Sequence, residues 1–486
     1  MNIFKITNTK KFFGIALISV MGLTGCSKFL DINDNPNNPE KADPSLLLPT
    51  VEAGISQVVG NAFQVYGGFW AQYWTQNPSA SQYRSLDRYQ ILNTATDRAW
   101  AILYRSTLIN AELIINSEAA GSEQLKGIAH LLKAYSFQVA TDAFGDVPGS
   151  ESLKGEDFIN PNYDKQEAIY DIILASIKSG KELIAKGEGA SAGSQDMIFA
   201  GDLEKWAEFA NTLELKVYLR LSEINASKAQ AGIKALYATN PTFLTEDASI
   251  TYSTTGGNEN PLYNEMVGLG RTQNIVASST VVTQFVKNKD TRRFAFYNKL
   301  SGEDTIAHII QGGSETIKKS VSSPSSTVGG SAIDQNSALA PVKLIGKAEA
   351  FFLQAEAVAR NWASGDAAAL YNEGVKASFN ELGLMADYAA YAGQESMKYP
   401  TAGTSDDKVK AIITQKYFAM CGFQGFEAWS EWRRTGYPDF LVESVGNRLG
   451  KGKMPMRLPY PNSEITTNGN FPGAISIDNK VWWDTK

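Results

Sequence analysis

The residues best suited to chemistry lie in one stretch, "VYGGFWAQYWTQNPSASQYRSLDRY", from Val65 to Tyr89. It holds Tyr66, Phe69, Trp70, Tyr73, Trp74, Tyr83 and Tyr89, interleaved with Gln72, Gln76, Asn77, Gln82 and Arg84. Flat aromatic faces beside amide and guanidinium donors suit neutral polar ligands that have apolar faces, such as sugar rings. Trp70/Trp74 and Phe69/Tyr73 are i,i+4 pairs, so a helix here would carry two aromatic faces, one for the core and one exposed or lining a groove. Asn77-Pro78 should stop that helix. Trp74, with Tyr73 beside it, is the expected stacking surface, because it lies one turn beyond Trp70 and next to the stop. Asn77, Gln82 and Arg84 are the expected hydrogen-bonding partners of ligand hydroxyls. Packing in the core is the competing expectation for any one of these rings.

Signals for catalysis are sparse. The two histidines, His130 and His308, show no zinc-ligand spacing, and no G-x-S-x-G elbow accompanies them. His130 falls in an amphipathic segment and reads as structural. There is no Walker A sequence, and "GLGRTQ" at Gly268 lacks the third glycine of a dinucleotide fingerprint. Carboxylate pairs are plentiful in an acidic chain, so a glycosidase pair stays open as an alternative. The reading is a binding protein, without a catalytic group, metal or cofactor.

The N-terminus carries a different chemistry. Lys10 and Lys11 precede "FFGIALISVMGL", an apolar run of 12 residues that suits a signal-peptide core and is too short to span a bilayer. Leu23-Thr24-Gly25-Cys26 then resembles a bacterial lipobox, in which the cysteine is acylated and becomes the first mature residue. Residues 1–25 therefore read as a lipoprotein signal peptide and Cys26 as the lipidation site. Residues 26–45 read as a flexible tether. Within it, Asp31, Asn33 and Asn35 imitate the start of a calcium loop, but Pro36 replaces the glycine such a loop needs. Cys421 lies in an apolar run and reads as a buried small hydrophobe. Net charge is −6 overall, and 42 basic against 51 acidic side chains, or −9, after residue 25. That is not the footprint of a nucleic-acid binder. No later segment reaches 18 consecutive apolar residues, so the body is expected to be soluble, with only its end anchored.

The elements that must hold these residues are helical. Trp100, Leu103, Tyr104, Thr107, Leu108, Ala111 and Ile115 step by three and four, as do Leu125, Ile128, Ala129, Leu132 and Tyr135. Ile345, Ala348, Phe352, Ala355, Ala359 and Trp362 mark another helix. Ser364–Asp366 then turns, with Asp366 as N-cap, into a second helix ending at Gly383. This hairpin loosely matches a tetratricopeptide unit, and similar pairs occupy 98–143 and 165–225. Residues 238–280 and 311–341 read as long loops. The expected fold is mainly α: tetratricopeptide-like helical hairpins as scaffold, long irregular loops and few short strands, in a single domain over 46–486.

Several segments, in order, carry a family resemblance: "FLDINDNPNNP" after the lipobox, "ATDAFGDVPGSESL", "KNKDTRRFAFY", "AEAFFLQAEAVARNW" with "ALYNEGVKASFNELG", "QKYFAMCGFQGFEAWSEWRRTGYP" and "MRLPYPNSEITTNGN". Together they resemble the SusD/RagB-like nutrient-binding outer-membrane lipoproteins over nearly the whole mature chain. Asp290-Thr291-Arg292 departs from the family's usual Asp-Pro-Arg. The resemblance implies a surface lid on a TonB-dependent, SusC-like outer-membrane transporter, capturing oligosaccharides, or in some members peptides, and handing them to the barrel. It also implies that the 250–280 loop lies near the nutrient, which adds Tyr263 and Arg271 to the candidate site. A surface-anchored hydrolase and a helical-repeat scaffold without a small ligand are the alternatives.

Overall fold

Leu48, Val51, Ile55, Val58 and Phe63 recur at helical spacing, and all are buried. They drive an unbroken helical run: α1 (Pro44–Gln57), a π-helical turn (Val58–Ala62) and α2 (Phe63–Trp70). In this computed structural model, residues 43–268, 270 and 272–486 are described. The signal peptide, Cys26, the calcium-like run and Arg271 lie outside the described residues.

The end of α2 differs from the one expected. The helix does not continue to Asn77. Tyr73 N–H donates to Gly68 O at 2.9 Å and Gln72 N–H to Phe69 O at 3.1 Å, the paired bonds of a Schellman stop. Gln72 takes the left-handed position, with φ of +61°, where glycine is usual. Its buried side chain holds it there: Oε1 accepts from Thr280 Oγ1 (2.7 Å) and Val442 N (3.0 Å). The chain then enters a strand, β1 (Trp74–Gln76), so Trp70 and Trp74 do not share a helix face.

A second unbroken run contains α3 (Asp97–Ile102), a π turn (Leu103–Leu108) and α4 (Ile109–Ile115). It packs on α5 (Glu123–Phe144), which pairs with α6 (Gln166–Lys186); α7 (Leu203–Arg220) and α8 (Ala226–Tyr237) follow. The expected hairpins over 98–143 and 165–225 are thus present. β2 (Ala248–Ile250), β3 (Ile275–Ala277) and α9 (Ser279–Lys287) come next, then β4 (Val342–Ile345). β1 pairs antiparallel with β3, Trp74 opposite Ala277, and β2 with β4, Ala248 opposite Ile345. These two short ladders pin the long loops to the helices.

The hairpin of α10 (Lys347–Ala359) and α11 (Ala367–Glu381) forms where the spacing placed it. Asp366 accepts from the Ala368 and Ala369 amides, and Gly383 takes φ of +70° just past α11. The remaining long helices are α12 (Met385–Ala392), α13 (Ser405–Ala419) and α14 (Gly425–Thr435), with a short α15 (Asn462–Thr467). The mainly helical fold read from the sequence is the one the chain adopts. Residues 44–486 pack as one unit.

Two features lock the helices. α2 and α14 touch backbone to backbone: a Cβ on Gly67 would lie 2.1 Å from Phe426 N, and one on Gly425 would lie 2.5 Å from Gly68 N. The second feature is a buried charge cluster. Arg220 of α7 binds Asp142 of α5 (3.1 Å) and Glu427 and Glu431 of α14 (2.7 and 2.5 Å). Lys216 reaches Glu349 of α10 at 2.7 Å, and Arg434 reaches Glu356 at 2.7 Å. Burial alone would raise the Glu427 carboxyl; Arg220, Lys216 and Lys416 outweigh it and bring its pKa down to about 2. Such a cluster specifies one register among five helices, and removing one member strands its partners.

Candidate functional site

Two of the π turns and the start of the second helical run meet at one place. A π turn inserts one residue into a helix and turns side chains off their usual phase, a feature frequent at functional sites. The first π turn, Val58–Ala62, supplies Asn61; a third, Asn264–Gly268, supplies Glu265; and α3, just ahead of the second π turn, supplies Arg98. With Gln57, Tyr66 and Ala95 they line a cavity of about 130 Å³.

Tyr66 is its aromatic wall. The ring stacks on Trp70 (centroids 6.4 Å), and Trp70 meets Trp429 edge-on at 4.8 Å, so a column of rings runs from the cavity into the core. The Tyr66 hydroxyl donates to Ala95 O at 2.7 Å, tying the 77–96 segment to α2. Burial, with smaller effects from Tyr83 and Glu265, pushes its pKa up, so the phenol stays neutral at physiological pH. Asn61 Nδ2 donates to Pro261 O at 2.9 Å and fixes the third wall. Arg98 approaches Glu265 only to 4.0 Å, and its side chain is 70% exposed. A ring, an amide, a guanidinium and a carboxylate around a small hollow can accept from and donate to hydroxyls at once.

A belt of amides joins the 77–82 segment to residues 273–274. Asn77 N–H donates to Asn274 O (2.8 Å), Asn77 Nδ2 to Gln273 O (2.7 Å), and Gln82 N–H to Asn274 Oδ1 (3.1 Å). Beneath it Asp87 is buried and accepts from Thr75 Oγ1 (2.9 Å) and Gln311 Nε2 (2.8 Å). Burial raises its pKa to about 7 despite these bonds.

The structure therefore brings together the two segments on which the sequence-based site was placed, and it reassigns the rings. Trp74 is fully buried in β1, not at a loop rim, because the Schellman stop at Gln72 turns the chain inward. Tyr73 is also fully buried, its ring 4.6 Å from that of Tyr417 and its hydroxyl bonded to Tyr417 O. Both belong to the core. Asn77 is half-buried and spends its side chain on Gln273 and on Ser79 N–H. Arg84 is half-buried and lies 3.6 Å from Glu315. Gln82 is exposed, and Tyr263 is half-buried on the turn Pro261–Tyr263. Asn61, Arg98 and Glu265 were missed; an exposed arginine at the start of a helix was the one local signal available.

Nothing in the arrangement assembles a nucleophile with its base and orienting acid. His130 is half-buried in α5, and burial with Lys133 lowers its pKa to about 4. His308 Nδ1 meets Ser279 Oγ at 2.8 Å, but among the described residues no carboxylate is hydrogen-bonded to this histidine. No group of three or more His, Cys, Asp or Glu side chains among the described residues is placed to hold a metal ion. No described helix is long and apolar enough to cross a membrane.

Comparisons with known proteins agree with the fold. Residues 36–461 match the model of a SusD-like family described as "Starch-binding associating with outer membrane". No curated protein matches. Among solved structures, a chitin-binding protein is similar over 91% of this chain and 100% of its own, with 24% identity and a TM-score of 0.76. A chitin-binding SusD homologue from Flavobacterium johnsoniae covers 91% and 97%, at 23% identity and a TM-score of 0.73. A SusD homologue from Bacteroides uniformis covers 92% and 100%, at 24% identity and a TM-score of 0.77. With most of its length matched by that family's model, the chain belongs to the SusD-like family.

Proposed function

We propose that this protein is a surface-anchored lipoprotein of the outer membrane that binds oligosaccharides and passes them to a TonB-dependent, SusC-like transporter. The observation that carries the binding role is the cavity of Tyr66, Asn61, Arg98 and Glu265, which joins a ring to donors and acceptors of both kinds. The family's description as starch-binding and the chitin-binding neighbours support carbohydrate as the ligand class. The anchor is Cys26, on the strength of the lipobox that precedes it. Of the sequence-based contacts, exposed Gln82 and half-buried Tyr263 do not line the cavity but stay available to a ligand that extends beyond it. Asn77 and Arg84 support the loop. Family membership supports the transporter as partner, and an anchor at Cys26 would hold the protein at the barrel's membrane.

The test is calorimetric titration of the purified protein with maltoheptaose and chitohexaose. Saturable binding of either supports the reading. Heats indistinguishable from dilution for both, with a glycan array blank as well, would end it. Mild detergent extraction from native cells tests the partner: a barrel protein should copurify, and recovery of the lipoprotein alone across several detergents would contradict it.

A further inference from the structure

The cavity at Tyr66 is small. At about 130 Å³ it falls below the ~300–1,000 Å³ typical of sites that bury most of a ligand. A second cleft, of about 610 Å³, lies within that range. It opens between the helical run that begins with α3, the 148–161 loop and α15. Arg98 lines both hollows. The two are therefore neighbours on either side of one exposed guanidinium.

The walls of the cleft are held in place by bonds that leave its mouth free. The Trp100 indole N–H donates to Glu464 Oε1 at 3.2 Å, and the Tyr163 hydroxyl to Glu464 Oε2 at 2.7 Å. The Tyr104 hydroxyl donates to Pro148 O at 2.9 Å, and its ring lies 4.6 Å from that of Trp100. The Arg105 side chain is exposed and forms no ion pair or hydrogen bond among the described residues. Ile159 stands at the rim 81% exposed, apolar surface beside a hollow that is lined by rings. Charge decides the ligand class: Arg98 and Arg105 are matched by Asp97 and Glu464, so the cleft has no net charge to attract an acidic chain. Aromatic edges with balanced donors and acceptors suit neutral sugars.

We infer that this cleft is a second saccharide subsite, joined to the first across Arg98, and that the ligand is a neutral oligosaccharide chain long enough to occupy both. The inference rests on the carbohydrate-binding role proposed above.

The experiment is a length series. Chitin and starch oligosaccharides of two, four and six sugars are titrated into the full protein, its Ala101→Trp variant and its Thr467→Trp variant. The two substitutions fill the cleft from facing walls, at a half-buried and an exposed position. In the wild type the six-sugar chain of the preferred series should bind about tenfold or more tighter than the disaccharide, a gain of about 1.4 kcal/mol or more. Each variant should lose that gain and keep the disaccharide affinity and the melting temperature. Affinity that does not rise with length, or a length gain that survives in both variants, overturns the second subsite and leaves the binding role standing. A gain seen only with oligogalacturonates, run as the acidic control, overturns the charge argument and with it the neutral-ligand assignment. Absence of binding by any chain overturns the functional reading, and this inference falls with it.

Discussion

Trp74 separates core from site more sharply than any other residue, because its chemistry invites a binding role and its position refuses one. Its ring covers Gly68 so closely that a Cβ there would lie 2.5 Å from it, and its carbonyl accepts from Gln311 Nε2 at 3.2 Å. Trp74→Ala removes a large, fully buried side chain. Substitutions of this kind cost about 3–5 kcal/mol, depending on how far the surroundings can collapse. Here one wall is the backbone of α2, clamped against α14 through Gly67 and Gly425, and another is β3, paired to the strand that carries Trp74 itself. Neither can move far, so a loss of about 4 kcal/mol or more is expected. Urea denaturation monitored by circular dichroism measures it as a lowered midpoint at unchanged slope. Titration of the same variant, below its unfolding transition, should return wild-type affinity for the preferred oligosaccharide. The reasoning is refuted by the opposite pattern: a tenfold or greater loss of affinity with an unmoved midpoint.

Four further outcomes are expected, three from the packing and one from the lipobox. Gly67→Ala should destabilise by about 3 kcal/mol or more, since the new methyl meets backbone that cannot step aside, whereas Gly256→Ala, with open space around it, should stay within about 1 kcal/mol of wild type; equal midpoints would contradict the close helix contact. Asp87 is protonated more readily folded than unfolded, so its contribution to stability is greatest below about pH 4 and is lost as pH rises toward 7, on the order of 4 kcal/mol in full; the stability of wild type relative to Asp87→Asn should fall across that window, and a flat difference would refute the burial argument. Arg220→Ala should cost about 3–5 kcal/mol at pH 7 by stranding Asp142, Glu427 and Glu431; because the Glu427 pKa is lowered when folded, the wild-type advantage should persist above about pH 4.5 and shrink as pH falls toward 2, as followed by denaturation at stepped pH. Cys26→Ser should release the protein from the membrane fraction of cells lacking the transporter, and continued fractionation with the outer membrane would contradict the anchor.

What was legible in the sequence was what is local. The α10–α11 hairpin announces itself through apolar spacing, an aspartate cap and a glycine stop, all within forty residues. The end of α2 does not. Its stop uses Gln72 in a glycine's position, and the bonds that hold it come from Thr280 and Val442, more than 200 residues away. A periodic reading therefore carried the helix onward and put Trp74 on a face it does not have. The π turns are silent for a related reason: one inserted residue changes helical phase without changing residue type, so Asn61 and Glu265 carry no signature along the chain. The charge cluster was equally hidden, since Lys216, Arg220 and Lys416 look like any solvated helix face until the partners on α10 and α14 are known. The 250–280 loop does meet the aromatic segment, through bonds between residues 77–82 and 273–274, although two of the rings chosen there are core.

The central claim is that this protein binds carbohydrate at the hollow beside Arg98. A glycan array probed in parallel with wild type and Arg98→Ala tests it most directly, because that side chain is largely exposed and its loss should leave the melting temperature unchanged. Retention of at least one oligosaccharide class by the wild type, with that signal lost or strongly reduced in Arg98→Ala, is the expected result. A blank array for the wild type, or equal retention by both proteins, would contradict the claim.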